Sequence, residues 1–274
     1  MNLADRYVVI GNPIAHSKSP LIHARFAEQT AQAIHYERLL APIDAFDQTL
    51  KSFIASGGRG ANVTVPFKLN AFRAATQLSS RARAAGAVNT LRFDSGEIIG
   101  DNTDGVGLVR DIVTNANKAI RGQRLLLLGA GGAARGVIQA LMAERPSQFV
   151  IANRTPERAQ ELVEQFSDDS PVFLEASHFS DLHTRFDLVI NATSASLASE
   201  LPAVPPSVFG PQTFVYDMMY SASPTLFMQL ATSHGASTRD GLGMLVEQAA
   251  ESFFVWRGVR PETASVYQWL RTQL

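Results

Sequence analysis

Apolar positions along this chain follow two rhythms. Short β-branched or apolar runs, Tyr7 to Ile10, Tyr36 to Leu40 and Ala61 to Val65, alternate with stretches of helical period, of which SPLIHARFAEQ and DAFDQTLKSFIAS are the clearest. Strands that alternate with helices pair in parallel through crossovers, so the pattern predicts an α/β fold. Asp94-Ser95-Gly96, between TLRF and EIIG, reads as a hairpin turn that breaks the rhythm. A second strand–helix series opens at RLLLLGAGGAARG, continues through FVIANRT and ends near TFVYDMMY. After Arg239 the pattern is amphipathic helix, GMLVEQAAESFFVWRG and then PETASVYQWLRTQL, with no further strand expected. The simplest accounting has this tail docking back on the first domain. Residues 1–103 with 239–274 then form one domain, with mainly parallel sheet, and 104–238 a second one inserted into it.

Composition narrows the function without changing that picture. The chain has 274 residues, enough for two domains of roughly 100 to 200 residues. A formal net charge of −1, with no block of like charge, supplies no basic stripe for a phosphate backbone, so no nucleic-acid partner is expected. The absence of Cys excludes disulfides, a thiolate nucleophile and Cys-ligated metal centres. Six His without an HExxH pattern or ligand spacing argue against a metal site. The start, MNLADRYVVIG, is too short in its apolar run for a signal segment, and no later stretch reaches a membrane span, which leads us to expect a cytoplasmic protein.

The strongest chemical signal is local. Arg124 to Leu128 is a compact apolar strand, followed at once by Gly129-Ala130-Gly131-Gly132-Ala133-Ala134 and the helical run RGVIQALMAE. This is the GxGxxA fingerprint of a Rossmann-type dinucleotide site in its required strand–turn–helix context. Gly129 permits the tight turn, Gly131 lets the backbone approach a pyrophosphate, and Ala134 lets helix and strand pack closely. The N–H groups and dipole at the helix start attract the phosphates. The next strand, Phe149 to Asn153, ends where NAD-specific folds carry an acid for the ribose 2′-hydroxyl; here Asn153-Arg154-Thr155 stands, with Arg158 a helical turn on. A carboxylate repels a 2′-phosphate and a guanidinium forks onto it, so NADP is the expected cofactor. Thr155 also suits an N-cap before Pro156. Asn191-Ala192-Thr193-Ser194 follows the strand-like DLVI and falls at the carboxyl edge of the sheet, where it is either part of the site or a polar turn.

A hydride acceptor needs a carbinol beside it and a group for the proton. In NVTVPFK, a strand over 62–65 would put Asn62 and Thr64 on one face and Val63 and Val65 in the core, with Pro66 ending the strand and Lys68 close by. Taken alone, this stretch reads more simply as a strand with one wet face and Lys68 on a solvated helix start. Strand-like GAVNT sets Asn89 among apolar residues, and GDNTDGVG places Asn102, Thr103 and Asp104 among glycines. Asp104 suits the first turn of a helix, and paired with Lys68 it makes an ammonium–carboxylate couple able to relay a proton. HSKSP offers Ser17 and Ser19; Ser19 before Pro20 reads as an N-cap, and a helix N-terminus is also a carboxylate site.

Together these segments resemble the shikimate dehydrogenases. GNPIAHSKSP, NVTVPFK, GAVNT, GDNTDGVG, GAGGAARG, NRT, NATS, DMMY and GLGMLVEQA look like that family's motifs, in its order, from residue 11 to residue 249. The resemblance implies two α/β domains with a cleft between them; closure of that cleft is expected because hydride transfer needs the reacting atoms at near-contact and water excluded. It also implies reversible NADPH-dependent reduction of 3-dehydroshikimate to shikimate, a step toward chorismate and the aromatic amino acids. Carried onto this chain, it implies that Ser17 and Ser19 hold the substrate carboxylate. Asn62, Thr64, Asn89, Asp104, Tyr220 and Gln248 would hold the ring hydroxyls, and Lys68 with Asp104 would be the acid–base pair. Gly129, Ala130, Gly131, Gly132, Ala133, Asn153, Arg154, Thr155, Arg158, Thr193, Met218, Gly241 and Met244 would line NADP. The roles of Tyr220 and Gln248 rest on the resemblance alone.

Two departures stand out: Ala195-Ser196 where many members carry a glycine after NATS, and Ala24 where Asn is common after the histidine. The first bears on backbone freedom near the nicotinamide, the second on packing. Competing readings are a quinate/shikimate dehydrogenase with relaxed substrate or cofactor choice and a non-catalytic NADP-binding sensor, which would need no Lys68. A methyltransferase also uses a Gly-rich turn but has no use for Arg154 and Arg158. The small-molecule substrate is the partner expected of a monomer or homodimer.

Overall fold

The computed structural model describes residues 4–167, 170–193, 195 and 200–274. The chain divides into two compact units, Met1–Gly107 with Val246–Leu270, and Leu108–Leu245 with Arg271–Leu274. Asp104–Gly107 thus belong to the first unit, and Arg239–Leu245 and Arg271–Leu274 to the second.

In the first unit, β1 (Asp5–Gly11), α1 (Ser19–Thr30), β2 (Ile34–Leu40), α2 (Phe46–Ala55) and β3 (Gly58–Val63) form an α/β alternation in sequence order. There follow α3 (Lys68–Ala74), the short β4 (Gln77–Leu78), α4 (Ser80–Ala85), β5 (Thr90–Asp94), β6 (Glu97–Asp101) and α5 (Asp104–Arg110), which continues into a wider π turn over Asp111–Asn115. The sheet order is β2-β1-β3-β5-β6-β4. β1 pairs in parallel with β2 and β3, and β4 with β6, while β5 is antiparallel to both its neighbours. The antiparallel element is the expected hairpin: Asp94 faces Glu97 across Ser95 and Gly96, both at positive φ (51° and 86°), as a two-residue turn requires. Ile10, Phe46, Leu50, Phe67, Val88 and Leu91 fill the core beneath this sheet.

The second unit carries β7 (Arg124–Leu128), α6 (Gly132–Ala143), β8 (Gln148–Asn153), α7 (Pro156–Ser167), β9 (Leu174–His178), β10 (Leu188–Asn191), β11 (Phe214–Asp217), α8 (Leu226–Ser233) and β12 (Ser237–Asp240). All its strands are parallel, in the order β12-β11-β10-β7-β8-β9. Read from β7, that is the doubly wound order 3-2-1-4-5-6, with its switch point between β7 and β10. Leu125 to Leu128 are all fully buried, as a central parallel strand covered on both faces demands. The chain ends in α9 (Leu242–Arg257) and α10 (Ala264–Arg271). Among the described residues, no helix is long and apolar enough to cross a membrane.

Four local expectations are corrected. The strand series does not end near TFVYDMMY but adds β12, because STRD is a short polar edge strand beside β11 and carries no apolar alternation. GAVNT is a loop up to Asn89, and only Thr90 enters β5. β3 stops at Val63, so alternation does not carry Val65 inward: Val63 is buried, whereas Val65 is 68% exposed. Past that point the backbone still bonds to β1 and the residue after it, with Thr64 N–H donating to Ile10 O and Val65 O accepting from Asn12 N–H. Finally, Ser19 is the first residue of α1 rather than its cap; Lys18 occupies the cap position, and its side chain does not cap the helix.

Candidate active site

Chain ends of β3, β5 and β6 converge with α9 on one buried polar cluster in the first unit. Lys68 opens α3 and Asp104 opens α5, and their side chains meet with Nζ 2.5 Å from Oδ2. The ammonium keeps 26% of its side-chain surface exposed and the carboxylate 10%, so the pair is partly desolvated yet open to a ligand. The backbone fixes this meeting: Val88 N–H donates to Lys68 O and Asn89 N–H to Asp101 O. Asn89 then divides its carboxamide. Its Nδ2 donates to Asp104 Oδ1 at 2.8 Å and to Gln248 Oε1 at 3.3 Å, while its Oδ1 accepts from Thr103 N–H at 2.9 Å.

Behind that layer lies a ring of hydroxyls absent from the sequence expectations. Thr90 and Ser252 Oγ atoms are 2.8 Å apart, and Asn62 Nδ2 donates to Ser252 Oγ at 3.0 Å and Thr90 Oγ1 at 3.2 Å. Tyr36 donates its phenol to Asn62 Oδ1 at 2.8 Å and is hydrogen-bonded to Ser19. Burial pushes the Tyr36 phenol well up, which keeps it protonated and able to donate. The Asn62 amide is buried and engaged with protein on both ends. Thr64, by contrast, is half-buried and makes no side-chain hydrogen bond among the described residues. Gly11 permits its position, since a Cβ there would lie 2.6 Å from Thr64 Cγ2.

Ser17 and Ser19 are joined at 3.3 Å between hydroxyls, and Ser17 Oγ also accepts the Ser19 N–H at 3.3 Å. Arg38 holds this turn from β2, with Nε and Nη2 donating to Ser17 O at 3.0 and 2.6 Å. No motif announced Arg38, although its alternation on the strand was visible. Gln248, on α9, is partly exposed.

In the second unit, the turn after β7 has the geometry that a pyrophosphate needs. Gly129 sits at φ +104°, and a Cβ on it would press Thr193 Cγ2 and the Ala192 carbonyl at 3.2–3.3 Å. Cβ atoms added at Gly131 or Gly132 would project into open space, at the start of a helix whose first N–H groups lack intrahelical partners. Ala134 is fully buried against the sheet, while Ala130 and Ala133 are accessible. The donor set thus fits a dinucleotide. Across the switch point, Asn191 Oδ1 accepts from Thr193 N–H and Oγ1 at 3.1 and 2.7 Å, and Asn191 Nδ2 donates to Asp217 Oδ1 at 3.2 Å. Ala195 N–H reaches Thr193 Oγ1 at 3.4 Å; Ser194 and Ser196, which the sequence reading singled out, lie outside the described residues.

At the end of β8, Asn153 Nδ2 donates to Thr155 O at 2.9 Å, and Arg154, Thr155 and Arg158 are exposed. Neither arginine makes an ion pair among the described residues. Met218, Tyr220, Gly241 and Met244 gather after β11 and β12 in this same unit. A Cβ on Gly241 would lie 2.1 Å from Met218 O, so glycine lets the two segments touch. Tyr220 is half-buried, and burial followed by the nearby Asp240 raises its phenol pKa. One support here was not foreseen: Asp111 is fully buried, accepts 2.7 Å bonds from Tyr216 OH and from two Arg239 nitrogens, and packs where a Gly243 Cβ would be. Tyr216 OH in turn accepts the Met244 N–H at 3.2 Å. Among the described residues, no group of three or more His, Asp or Glu is placed to hold a metal ion.

Comparison with known proteins adds the family. The profile described as "Shikimate dehydrogenase substrate binding domain" matches residues 9–91, "Shikimate / quinate 5-dehydrogenase" matches 111–199, and "Shikimate 5'-dehydrogenase C-terminal domain" matches 241–271. A protein of Janthinobacterium sp. (strain Marseille), named shikimate dehydrogenase (NADP(+)), is 63% identical over 98% of both chains. One of the same name from Herminiimonas arsenicoxydans is 61% identical over 99% of both. Among solved structures, an Ael1 enzyme from Pseudomonas putida is similar at TM-score 0.92 and 45% identity, covering 97% of this chain and 98% of that one. Shikimate 5-dehydrogenase from Thermus thermophilus, solved with NADP(H) and shikimate, is similar at TM-score 0.88 and 32% identity, covering 98% and 100%.

Proposed function

Since the chain belongs to the NADP-dependent shikimate dehydrogenase family, we propose that it reduces 3-dehydroshikimate to shikimate reversibly, with Lys68 and Asp104 handling the proton. The observation that carries the chemistry is their 2.5 Å contact at the mouth of a buried polar cluster. Lys68 Nζ is the mobile, three-donor group, and Asp104 orients it while Asn89 holds the other carboxylate oxygen. As the substrate oxygen gains charge, the ammonium delivers its proton; in the oxidative direction the same amine receives it. NADPH, when bound, supplies the hydride.

The remaining roles follow from where the matching residues stand. Ser17 and Ser19, braced by Arg38, offer hydroxyls for the carboxylate. Thr64, Asn89, Asp104, Tyr220 and Gln248 would take the ring hydroxyls, with Asn62, Thr90 and Ser252 fixing Asn89 and Thr103 from behind. Gly129 to Ala133, Thr193, Met218, Gly241 and Met244 would line the cofactor, Asn153 and Thr155 would shape the adenosine end, and Arg154 and Arg158 would meet the 2′-phosphate.

The test is a four-way assay of NADPH or NADH oxidation with 3-dehydroshikimate or 3-dehydroquinate. The reading expects the highest kcat/KM for NADPH with 3-dehydroshikimate. Equal efficiency with 3-dehydroquinate would move it to a quinate/shikimate enzyme, and activity on neither substrate would refute it.

A further inference from the structure

We infer that Arg81 is a positioning residue for the proton-transfer pair, acting through Asp101 and Asn102 to set where the Asp104 carboxylate stands. The inference rests on the reading of Lys68 and Asp104 just given and deepens it.

Asp104 is the first residue of α5, so its backbone N–H has no helical partner; Asn102 Oδ1 accepts it at 3.1 Å. Asn102 is itself clamped twice, by Nδ2 to Ala87 O at 3.0 Å and by its own N–H to Asp101 Oδ1 at 2.8 Å. Everything upstream of Asp104 therefore converges on the Asp101 carboxylate, the last group of β6. That carboxylate is buried and takes four donors. Besides Asn102, they are Ser79 Oγ at 2.5 Å and the Arg81 fork, Nε and Nη2, at 2.6 Å each. Arg81 is the only cation of the four, and a bidentate guanidinium fixes a carboxylate in angle as well as distance.

A third Arg81 nitrogen extends the clamp. Nη1 donates to Glu251 Oε1 at 2.9 Å, and Glu251 also binds Arg260. Glu251 sits on α9 next to Ser252 and less than one turn beyond Gln248, the residues that close the other side of the polar cluster. One planar group thus ties the strand that leads to Asp104 to the helix that presents Gln248. Neither Lys68 nor Asp104 is bonded to Arg81, which makes its action indirect. Lysine could replace the charge but not the fork, since its three donors leave from one atom.

The experiment compares wild type, Arg81→Lys, Arg81→Ala and Lys68→Ala in shikimate oxidation, with circular dichroism as the fold control. For Arg81→Lys we expect kcat to fall about ten- to a hundredfold, because small displacements of reacting groups carry losses of that size. Shikimate KM and NADP+ affinity should stay within about threefold, as for an interaction felt mainly in the transition state. The solvent deuterium isotope effect on kcat should rise, because proton transfer becomes more rate-limiting, a change that mere loss of stability would not produce. With 27% of its side chain exposed, the Arg81→Ala site is open to methylguanidinium, which should restore part of kcat. A folded Arg81→Lys enzyme with kcat within about twofold of wild type would overturn the inference. So would a kcat loss with an unchanged isotope effect and no rescue. An inactive wild type would sink the proposed function itself, and an active wild type with an inactive Lys68→Ala would isolate any failure to Arg81.

Discussion

Arg154 and Arg158 stand exposed after β8 without an ion pair among the described residues, so their charge is available to a ligand. A 2′-phosphate would gain a charge-assisted bond from each, roughly 1.5–3 kcal/mol before solvent screening reduces it. The Arg154→Ala/Arg158→Ala double variant should raise KM for NADPH about tenfold or more and leave KM for NADH nearly unchanged, as read by steady-state kinetics with both cofactors. Equal losses with both would remove the phosphate from their role. Residues of this kind are legible in sequence because charge type and distance from a strand end suffice to place them. Neutral groups are not: Thr90, Ser252 and Tyr36 acquire meaning only through pairing across as many as 190 sequence positions. Arg81, Asp101 and Asp111 carry no signal of their roles in the sequence, and only tertiary contact buries the two aspartates. Val65 failed for the opposite reason, since alternation was extended past Val63, where β3 ends.

The turn between β7 and α6 was legible because its requirements are local: a buried strand, glycine at positive φ, then a helix start. Its two glycines answer to different demands, and substitution separates them. Gly129→Ala places a Cβ at φ +104° against Thr193 and Ala192, which should destabilise the protein by about 1–3 kcal/mol and lower Tm. Gly131→Ala points into open space at an ordinary φ of −89°. It should leave Tm nearly unchanged and weaken NADPH binding measured by fluorescence titration. Unchanged NADPH affinity in Gly131→Ala would contradict the placement of the pyrophosphate. β12 shows where element-level reading ran out, because a four-residue edge strand of polar residues has no period to detect.

At the scale of the molecule, the two-unit α/β architecture was recoverable from the alternation of strand and helix patterns, whereas the stability consequences of its buried groups were not. His23 is fully buried, stacked on Tyr36 with centroids 4.2 Å apart, and neither ring nitrogen has a hydrogen bond of normal geometry. Burial, partly offset by the nearby Asn62, pushes its pKa down from 6.5 to about 3. Between those values the unfolded chain binds a proton that the folded one refuses, so stability is complete above 6.5 and falls as pH drops toward 3. By about pH 5 the loss should be about 2 kcal/mol. Asp101 does not act in that window. Burial would raise its pKa, but the Arg81 fork and Ser79 outweigh this and hold it below 3.8, so its contribution is lost only at lower pH. Urea unfolding should therefore show stability falling between about pH 7 and pH 5 in wild type and a shallower slope in His23→Phe; identical slopes would contradict this assignment. The most direct test of the account as a whole is kcat for 3-dehydroshikimate reduction in a folded, NADPH-binding Lys68→Ala protein. Proton transfer by Lys68 predicts a fall of about a hundred- to ten-thousandfold with only a modest change in substrate KM; a kcat close to wild type would contradict it.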